Sequence, residues 1–508
     1  MSEKMNVIFI ITDQQRADHL GCAGNPILKT PNLDRLASEG IRFTSAFVAN
    51  PMCSPNRASI LTGLYPKRHI RVPGVNLDEN IPTFSESLRK EGYATKAVGK
   101  MHLQFWGRPV SSKNTSVEQG AYWFSEKKHA EMVENFPSPY YGFSEVDFVI
   151  GHGDVCNGHY RDWLEEKAPQ YIPETRAHSA LEHVYYKSKI PEEFYPTSYI
   201  TERSIDFLEK FAKGDYENEN FFLYVSYPDP HHPVTPPGKW AEMYKPEEIE
   251  LPESFSNVDY VRNHKFVSKI LDLPMLRNMI HRTTTEEEAK NFTALTYGTL
   301  SMIDNSVGQI MATLEKLGLA DNTMVIYTSD HGDMAGDQGM ILKGWVPFSG
   351  ILNVPLIVKV PGVSKPGSVT DSLVSSMDFA QTILNLCKIK KRKQPPDMEG
   401  VDFTPVLKDP EKKVRDTVLI ESDGLDPSSN AISAFSGVRI KYLITERYSL
   451  TIYVNMPDYG DIYDRKNDPH ELNNLWFSNP ELRNELLKKI LYETFNAESI
   501  YPKRDGMG

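Results

Sequence analysis

The residues best suited to chemistry fall in one short stretch, Pro51-Met52-Cys53-Ser54-Pro55-Asn56-Arg57-Ala58-Ser59-Ile60-Leu61-Thr62-Gly63. Pro55 follows Cys53 by two residues and Arg57 by four. Arg57 to Leu61 reads as a short helix closed by Gly63, which puts Cys53 at a helix N-terminus. Free backbone N–H groups and the helix dipole favour an anion there, so the position can lower a thiol pKa or hold an anionic substrate. A lone cysteine is otherwise most often a small buried hydrophobe, and a lone arginine a surface charge.

More chemistry-bearing groups stand just past apolar runs. Asn6 to Thr12 has the look of a strand covered on both faces of a parallel sheet, and it ends in Asp13-Gln14. Thr323 to Ser329 is a second such run, ending in Asp330-His331. Tyr93 to Val98 leads into Gly99-Lys100-Met101-His102, and Phe221 to Ser226 leads into Pro228-Asp229-Pro230-His231-His232-Pro233. Open α/β sheets bind ligands at the carboxyl ends of their strands, where all these groups lie. If the first strand and the strand at 323–329 are neighbours, Asp13 and Gln14 meet Asp330 and His331 in an oxygen-rich metal site with one imidazole. Lys343 comes soon after that loop, in Ile341-Leu342-Lys343-Gly344. Each group also has a plainer reading: Asp13 as a turn cap, the histidine pair and Lys343 as solvated polar residues.

The elements that must position these groups alternate between strand and helix. Thr30 to Gly40 carries a cap residue, a proline at the first helical position and a closing glycine. Ile41 to Val48 reads as the strand that delivers the chain to Cys53. Thr83-Phe84-Ser85-Glu86 is a capping box, and Thr197–Lys213 and Asn291–Gly318 read as amphipathic helices. From Gln104 to about Pro196 the periodicity is poor and aromatics such as Trp106, Trp123, Tyr140 and Trp163 are dense, which predicts a long excursion from the sheet, either a substrate loop or a satellite core. Asn257 to Lys290 is charged and reads as mostly helical. After a linker around Lys408–Arg415, the runs Val418–Glu421, Ala434–Ile440, Lys441–Thr445 and Leu450–Tyr453, then a helix from Pro480 to Phe495, predict a small antiparallel sheet with one helix. The expected architecture is α/β, with a large mixed, mostly parallel sheet between helices over residues 1–410 and a small α+β unit over 411–508.

At 508 residues, 40% hydrophobic and 24% charged, the chain can bury a large core. A net charge of −12 and a pI near 5.7 argue against a nucleic-acid partner or an acidic membrane surface, though a local basic pocket is compatible with them. Cys22, Cys53, Cys156 and Cys387 are too few and too scattered for a disulfide framework or a zinc knuckle, and suit a reducing compartment. No stretch approaches a membrane span, and Val7–Ile11 is too short for a signal-peptide core, so a cytoplasmic protein is expected. The sequence leaves homo-oligomer formation open.

The pattern Cys53-x-Pro55-x-Arg57 followed by Leu61-Thr62-Gly63 resembles the signature of the type I sulfatases, whose cysteine is oxidised after synthesis to formylglycine. Gly99-Lys100-x-His102 resembles the family's Gly-Lys-x-His motif, and Pro230-His231-His232-Pro233 its Pro-His-x-Pro loop, with His231 in the contact position. Asp461–Asp464 and Asp468–Glu471 resemble its terminal signature, so the likeness covers nearly the whole chain. The chain departs from the usual pattern at Asn56, where Ser or Ala is common. Asp13-Gln14 replaces Asp-Asp and Asp330-His331 replaces Asp-Asn, variants similar to the choline sulfatase and phosphonate monoester hydrolase branches.

The resemblance implies an alkaline phosphatase-like fold and a sulfuric ester hydrolase acting on a small sulfated substrate, whether carbohydrate, aryl or choline sulfate. It implies one divalent metal ion, Ca2+ or Mn2+, held by Asp13, Gln14, Asp330 and His331 with the side chain at position 53, and a separate maturation enzyme that generates formylglycine from Cys53. Arg57, Lys100 and Lys343 would neutralise the sulfate, Asp330 would take the nucleophile's proton, His231 would protonate the leaving alcohol, with Lys343 as the alternative donor, and His102 would help expel sulfate. Two other readings stand beside this one. One is a phosphonate monoester or phosphodiester hydrolase of the same superfamily, against which the Lys100-x-His102 pair speaks. The other is a non-catalytic anion binder in which Cys53 stays a thiol.

Overall fold

The computed structural model describes residues 4–107, 109, 115–176, 183–271, 278–424 and 439–497. Its main sheet contains β1 (Asn6–Thr12), β2 (Ile41–Phe43), β3 (Tyr93–Gly99), β4 (Glu145–His152), β5 (Val155–Gly158), β6 (Asn220–Ser226), β7 (Thr323–Ser329), β8 (Leu356–Lys359) and β9 (Ser368–Thr370), in the order β9-β2-β8-β7-β1-β6-β3-β4-β5. The five strands from β7 to β4 are mutually parallel, while β8 runs antiparallel to β7 and β2, and β5 antiparallel to β4.

Both faces of the sheet are covered, which is why its strands are apolar throughout rather than alternating. The principal helices are α1 (Pro31–Glu39), α2 (Cys53–Thr62), α3 (Phe84–Lys90), α4 (Pro196–Lys213), α5 (Glu286–Lys316), α6 (Asp378–Leu386) and α7 (Pro480–Asn496). Val7, Phe9 and Ile11 of β1 point into a core shared with Ala58 and Leu61 of α2, Phe84 and Leu88 of α3 and Phe379 and Ile383 of α6. Ile8 and Ile10 point the other way, against Leu33 of α1, Ile200 and Phe207 of α4 and Leu300, Ile303 and Val307 of α5. Each such fully buried side chain contributes about 1.5–3 kcal/mol relative to exposure.

Parallel pairing brings the carboxyl ends of the strands to one edge. Thr12 pairs with Ser329, Ile11 with Ser226, and Ser226 with Gly99, so the loops that begin at Asp13, Asp330, Tyr227 and Lys100 leave the sheet side by side. Gly99 is required at its place: its φ is +107°, and a Cβ there would fall 1.8 Å from the Ser226 carbonyl oxygen.

A second, antiparallel sheet is built from β10 (Thr417–Asp423), β11 (Arg439–Thr445), β12 (Tyr448–Tyr453) and β13 (Gly460–Asp464), in that order, with Leu486 and Ile490 of α7 packed on Leu419, Leu443 and Ile462. It docks beside the chain that approaches Cys53. The Glu421 N–H donates to the Ala49 carbonyl at 3.1 Å, and Asn50 Nδ2 donates to the Glu421 carbonyl at 2.7 Å.

Several expectations need correction. The helix at Cys53 starts at Cys53 itself, not at Arg57, so Pro55 occupies its first turn, where a missing N–H costs nothing. The strand expected over 41–48 breaks into Ile41–Phe43 and Ala46–Phe47. Part of the supposed excursion belongs to the sheet: β4 and β5 lie within it, followed by a helix over His159–Lys167. Among its described residues the region 257–290 is not mostly helical: it holds short turns, one helix over Val258–Asn263, a two-residue strand over Arg282–Thr283 and the start of α5 at Glu286. The long helix begins five residues early, because Thr285 caps it by accepting from the Glu288 N–H. Of the run expected over 434–440, residues 434–438 lie outside the described residues, and the strand from Arg439 runs unbroken to Thr445. Gly460–Asp464, noted only for its resemblance, is the fourth strand.

Candidate active site

Met52 has extended backbone and Cys53 is the first helical residue, so the Cys53 side chain projects from the start of α2 into the space between the strand ends. Lys343 Nζ donates to Cys53 Sγ at 2.7 Å, and His331 Nε2 lies 3.2 Å from the same sulfur. Asp13 Oδ1 is 4.0 Å away. All of α2 is buried, with Cys53 only 6% exposed.

One turn on, the fully buried Arg57 ties three loops together. Its Nε donates to Asp330 Oδ2 at 2.7 Å, and its Nη1 donates to Ser226 Oγ at 2.8 Å and to the Lys100 carbonyl at 3.2 Å. Its Nη2 lies 3.8 Å from Asp13 Oδ2. Its neighbour Asn56 explains itself on geometry. Asn56 Nδ2 donates to the Asp330 carbonyl at 2.6 Å, while Oδ1 accepts from the Ala49 N–H at 2.9 Å and from Ser376 Oγ at 2.6 Å. The longer amide spans a gap that Ser or Ala would leave open.

Asp13, Cys53, Asp330 and His331 present ligand atoms that all lie within 4.8 Å of one another. Gln14 joins them with a backbone φ of +68°; its N–H donates to Asp330 Oδ1 at 3.2 Å, and its Nε2 donates to Asp333 Oδ2 at 2.5 Å and lies 3.1 Å from His232 Nδ1. That orientation leaves Gln14 Oε1 buried with no hydrogen-bond partner. His331 Nδ1 sits 2.9 Å from the Gly332 carbonyl, a contact that keeps a proton on Nδ1 and turns Nε2 toward Cys53 and Asp13, where a bound cation would replace the proton that Nε2 otherwise carries. Two carboxylates, an orphaned amide oxygen and an imidazole lone pair form a donor set suited to a divalent cation.

The remaining expected residues line the opposite side. Lys100 Nζ donates to Asp13 Oδ2 and lies 2.9 Å from His152 Nε2 and 4.7 Å from the centre of the Trp106 ring. His102 stacks on Trp106 at 4.0 Å, and its buried Nδ1 has no partner. His231 stacks on His152 at 3.6 Å and lies 6.4 Å from His331, ring centre to ring centre. The structure thus gathers Asp13, Gln14, Cys53, Arg57, Lys100, His102, His231, Asp330, His331 and Lys343 around one point.

Three further residues belong to this cluster. His152 ends β4 and bridges Lys100 and His231, and Asp333 fixes Gln14. Trp106 is held by a hydrogen bond from its Nε1 to Glu118 Oε2 at 2.9 Å and carries Lys100 and His102 against its ring. The only signal for His152 in the sequence was its setting in Gly151-His152-Gly153. Trp106 was one aromatic among many.

Charges in this dry site act strongly on one another. Burial raises the Asp13 carboxyl, but Lys100 and then His231 outweigh it and hold the group well below the usual carboxylate range. Burial and Asp13 push the Cys53 thiol up, yet Lys100, Lys343 and His331 pull it down to about 7. Burial disfavours the His331 cation and Asp330 favours it, with a net rise to about 9. Burial, followed by Lys100 for His102 and His152 and by His152 for His231, keeps these three imidazoles neutral. Arg57, Lys100, Lys343 and the cationic His331 outnumber Asp13 and Asp330, which suits a bound anion.

The profile of the sulfatase family matches residues 5–389. The chain belongs to the sulfatase family. It is a hydrolase of sulfuric ester bonds that releases inorganic sulfate from an organic sulfate monoester. The family described as N-sulphoglucosamine sulphohydrolase, C-terminal, matches residues 336–496. This sulfatase is 29% identical to an arylsulfatase of Clostridium perfringens, over 96% of this chain and 94% of that one. It is 28% identical to an uncharacterized sulfatase of Escherichia coli, over 93% of this chain and 83% of the other. Among solved structures, the phosphonate monoester hydrolase of Agrobacterium radiobacter superposes with a TM-score of 0.78 at 23% identity, covering 97% of this chain and 96% of that one, which shows the shared alkaline phosphatase-like fold.

Two outcomes follow for the sulfatase in its thiol form. Asn56→Ala leaves the buried Asp330 carbonyl without its donor and the Ser376 hydroxyl without its acceptor, while the Ala49 N–H keeps Ser376 Oγ, so it lowers stability by about 1–3 kcal/mol in urea unfolding. In the metal-free protein, ultraviolet thiolate absorbance rises with a midpoint near pH 7 and an amplitude of one cysteine, because Cys22 and Cys387 are pushed up to about 12 and Cys156 is raised as well. Cys53→Ala removes that step.

Proposed function

We propose that this sulfatase works through a formylglycine at position 53, made from Cys53 by a separate maturation enzyme, and through one divalent ion, Ca2+ or Mn2+. The observation that carries the reading is the position of residue 53, at the start of α2 within 3.2 Å of both Lys343 Nζ and His331 Nε2 and next to two carboxylates. The hydrated aldehyde supplies two hydroxyl groups on one carbon, one to attack sulfur and one to expel sulfate, which a serine ester cannot do. The ion, held by Asp13, Gln14, Asp330, His331 and the side chain at 53, supplies Lewis acidity.

The chain's own residues do the rest. Lys100 and Lys343 bind the nonbridging oxygens and neutralise charge that grows in the transition state. Asp330 takes the proton of the attacking hydroxyl at a carboxylate oxygen, and Arg57 holds that carboxylate in place. The contact of His231 Nδ1 with the His232 carbonyl at 2.6 Å keeps a proton on Nδ1 and turns Nε2 toward the site, so His231 acts as the proton donor to the leaving oxygen once the negative charge of the bound substrate has drawn a second proton onto Nε2. His102 accepts the proton of the second hydroxyl. His152 and Trp106 orient Lys100 and His102 by the contacts described above.

The free state of all four cysteines supports a cytoplasmic setting, and no helix among the described residues is long and apolar enough to cross a membrane. Phosphonate monoester hydrolysis is the second reading, favoured by Gln14 and His331 in the metal loop. Comparing rates on nitrophenyl sulfate and a phenyl phosphonate ester separates the two: faster sulfate release supports the main reading, and the reverse order overturns it.

Protein from its native host shows a position-53 peptide lighter than the thiol form, whereas thiol alone there overturns the formylglycine. With that protein, His231→Ala slows release of alkyl sulfates by about 100-fold or more, the scale of a lost general acid. Release of nitrophenyl sulfate, whose leaving group needs little protonation, falls far less. Equal losses on both would move the proton-donor role to Lys343.

A further inference from the structure

Lys343 reaches residue 53 from a hairpin whose shape its own backbone does not favour. Beyond Asp330 and His331, the Met334 N–H donates to the Leu342 carbonyl at 2.9 Å and the Gly336 N–H to the Met340 carbonyl at 2.7 Å. Asp333 closes the base: its Oδ1 accepts the Ala335 N–H at 2.6 Å and the Leu342 N–H at 3.2 Å. Ala335, Gln338 and Leu342 have φ of +41°, +56° and +69°, conformations that a residue with a Cβ holds only where its surroundings impose them. The arms that carry His331 and Lys343 therefore need support from outside the hairpin.

That support comes from the turn after β13, within the stretch that resembles the family's terminal signature. Two of its acids hold the turn itself: Asp464 Oδ1 accepts the N–H groups of Lys466 and Asn467, and Asp468 those of Leu472 and Asn473. The third, the buried Glu471, points into the large domain. Its Oε2 accepts from the Ser349 N–H at 2.8 Å and from Ser349 Oγ at 3.1 Å, at the start of a short helix over Ser349–Leu352. The Ile351 carbonyl of that helix accepts the Gly332 N–H at 3.1 Å, directly beside His331, and Ser349 ends the segment that begins at Lys343. At the hairpin's tip the buried Gln338 donates from Nε2 to the His470 carbonyl at 3.0 Å and the Glu471 carbonyl at 3.2 Å, and its Oε1 accepts from Asn257 Nδ2 at 2.6 Å. Burial raises the Glu471 carboxyl, the Ser349 N–H opposes it and Asp337 adds to it, for a net rise to about 8. Glutamine thus copies the neutral acid that prevails at pH 7.

We propose that Glu471 is a positioning residue for Lys343: together with Gln338 it fixes the tip and the outgoing end of the hairpin, and so holds Lys343 Nζ against residue 53. Among the described residues neither side chain bonds a residue of the centre, so both act through the hairpin.

The part of Lys343 in sulfate release rests on the function proposed above, whereas its placement does not, and the test separates the two. The full chain in its thiol form is treated briefly with acetic anhydride, and acetylation of Lys343 and Lys100 is read by peptide mass spectrometry. Both lysines are buried, and Lys100 leaves the sheet on a different loop, so it reports general loosening. In Glu471→Ala the Lys343 label rises about tenfold or more, the scale of local opening after the loss of buried hydrogen bonds, while Lys100 stays protected. Glu471→Gln keeps an oxygen for the Ser349 N–H and stays at the native level. Gln338→Ala gives the same selective rise, and it decides the matter if Glu471→Ala does not fold. No rise at Lys343 in either variant, an equal rise at Lys100, or a label in Glu471→Gln as strong as in Glu471→Ala overturns the proposal. In the mature enzyme, kcat for nitrophenyl sulfate falls about 100-fold in Glu471→Ala, the scale of a group displaced by about 1 Å, and recovers in Glu471→Gln. A selective Lys343 label with unchanged kcat upholds the placement and removes Lys343 from the reaction.

Discussion

Arg57 carries a guanidinium with no exposed surface, and its hydrogen-bond partners come from the ends of separate strands. Asp330 follows β7, Ser226 ends β6, and the Lys100 carbonyl follows β3. Leaving such a charge without its carboxylate costs about 3–5 kcal/mol, so folding and assembly of the site are one event. The arginine reaches all three because it sits one helical turn behind Cys53 on a helix whose first residue lies above the sheet edge. Whatever fixes Arg57 therefore also fixes position 53 relative to Asp13, Asp330 and Lys100.

The same constraint shapes the electrostatics. Against the cost of burial, Lys100 and then His231 hold the Asp13 carboxyl well below the usual carboxylate range, Arg57 pairs with Asp330, and the carboxylates in turn hold these cations in place. The cluster still has cations in excess, so an acidic protein keeps a small electropositive site at its centre. A layer of neutral imidazoles and one indole, His102, His152, His231 and Trp106, separates this site from its surroundings and keeps Lys100 in one orientation.

Much of this was legible along the chain. Apolar runs ending in Asp13, Asp330 and Lys100 marked strand ends because a strand buried on both faces must be apolar and must then surface at a loop. Cap residues and closing glycines gave α1 and α3, and amphipathic spacing gave α4, nearly to the residue, since these signals are local. Reading failed where long-range packing decides. Ile41–Val48 is broken by loops paired to distant segments. β4 was hidden in an aromatic stretch whose residues pack on Trp123 and Phe136 instead of alternating. Asn56 looked anomalous until its hydrogen bonds to the distant Asp330 and Ser376 were seen.

By itself, the sequence determined the residue types and local elements: a cysteine at a helix start, acids and histidines at strand ends, and a family signature spread over nearly the whole chain. Only the tertiary structure decided that these ends adjoin. Strand order follows from pairing between segments up to about three hundred residues apart, and no local propensity encodes it. It also decided that His152 and Trp106 join the site and that Arg57 faces the carboxylates. Each of these depends on which distant surfaces become buried against one another.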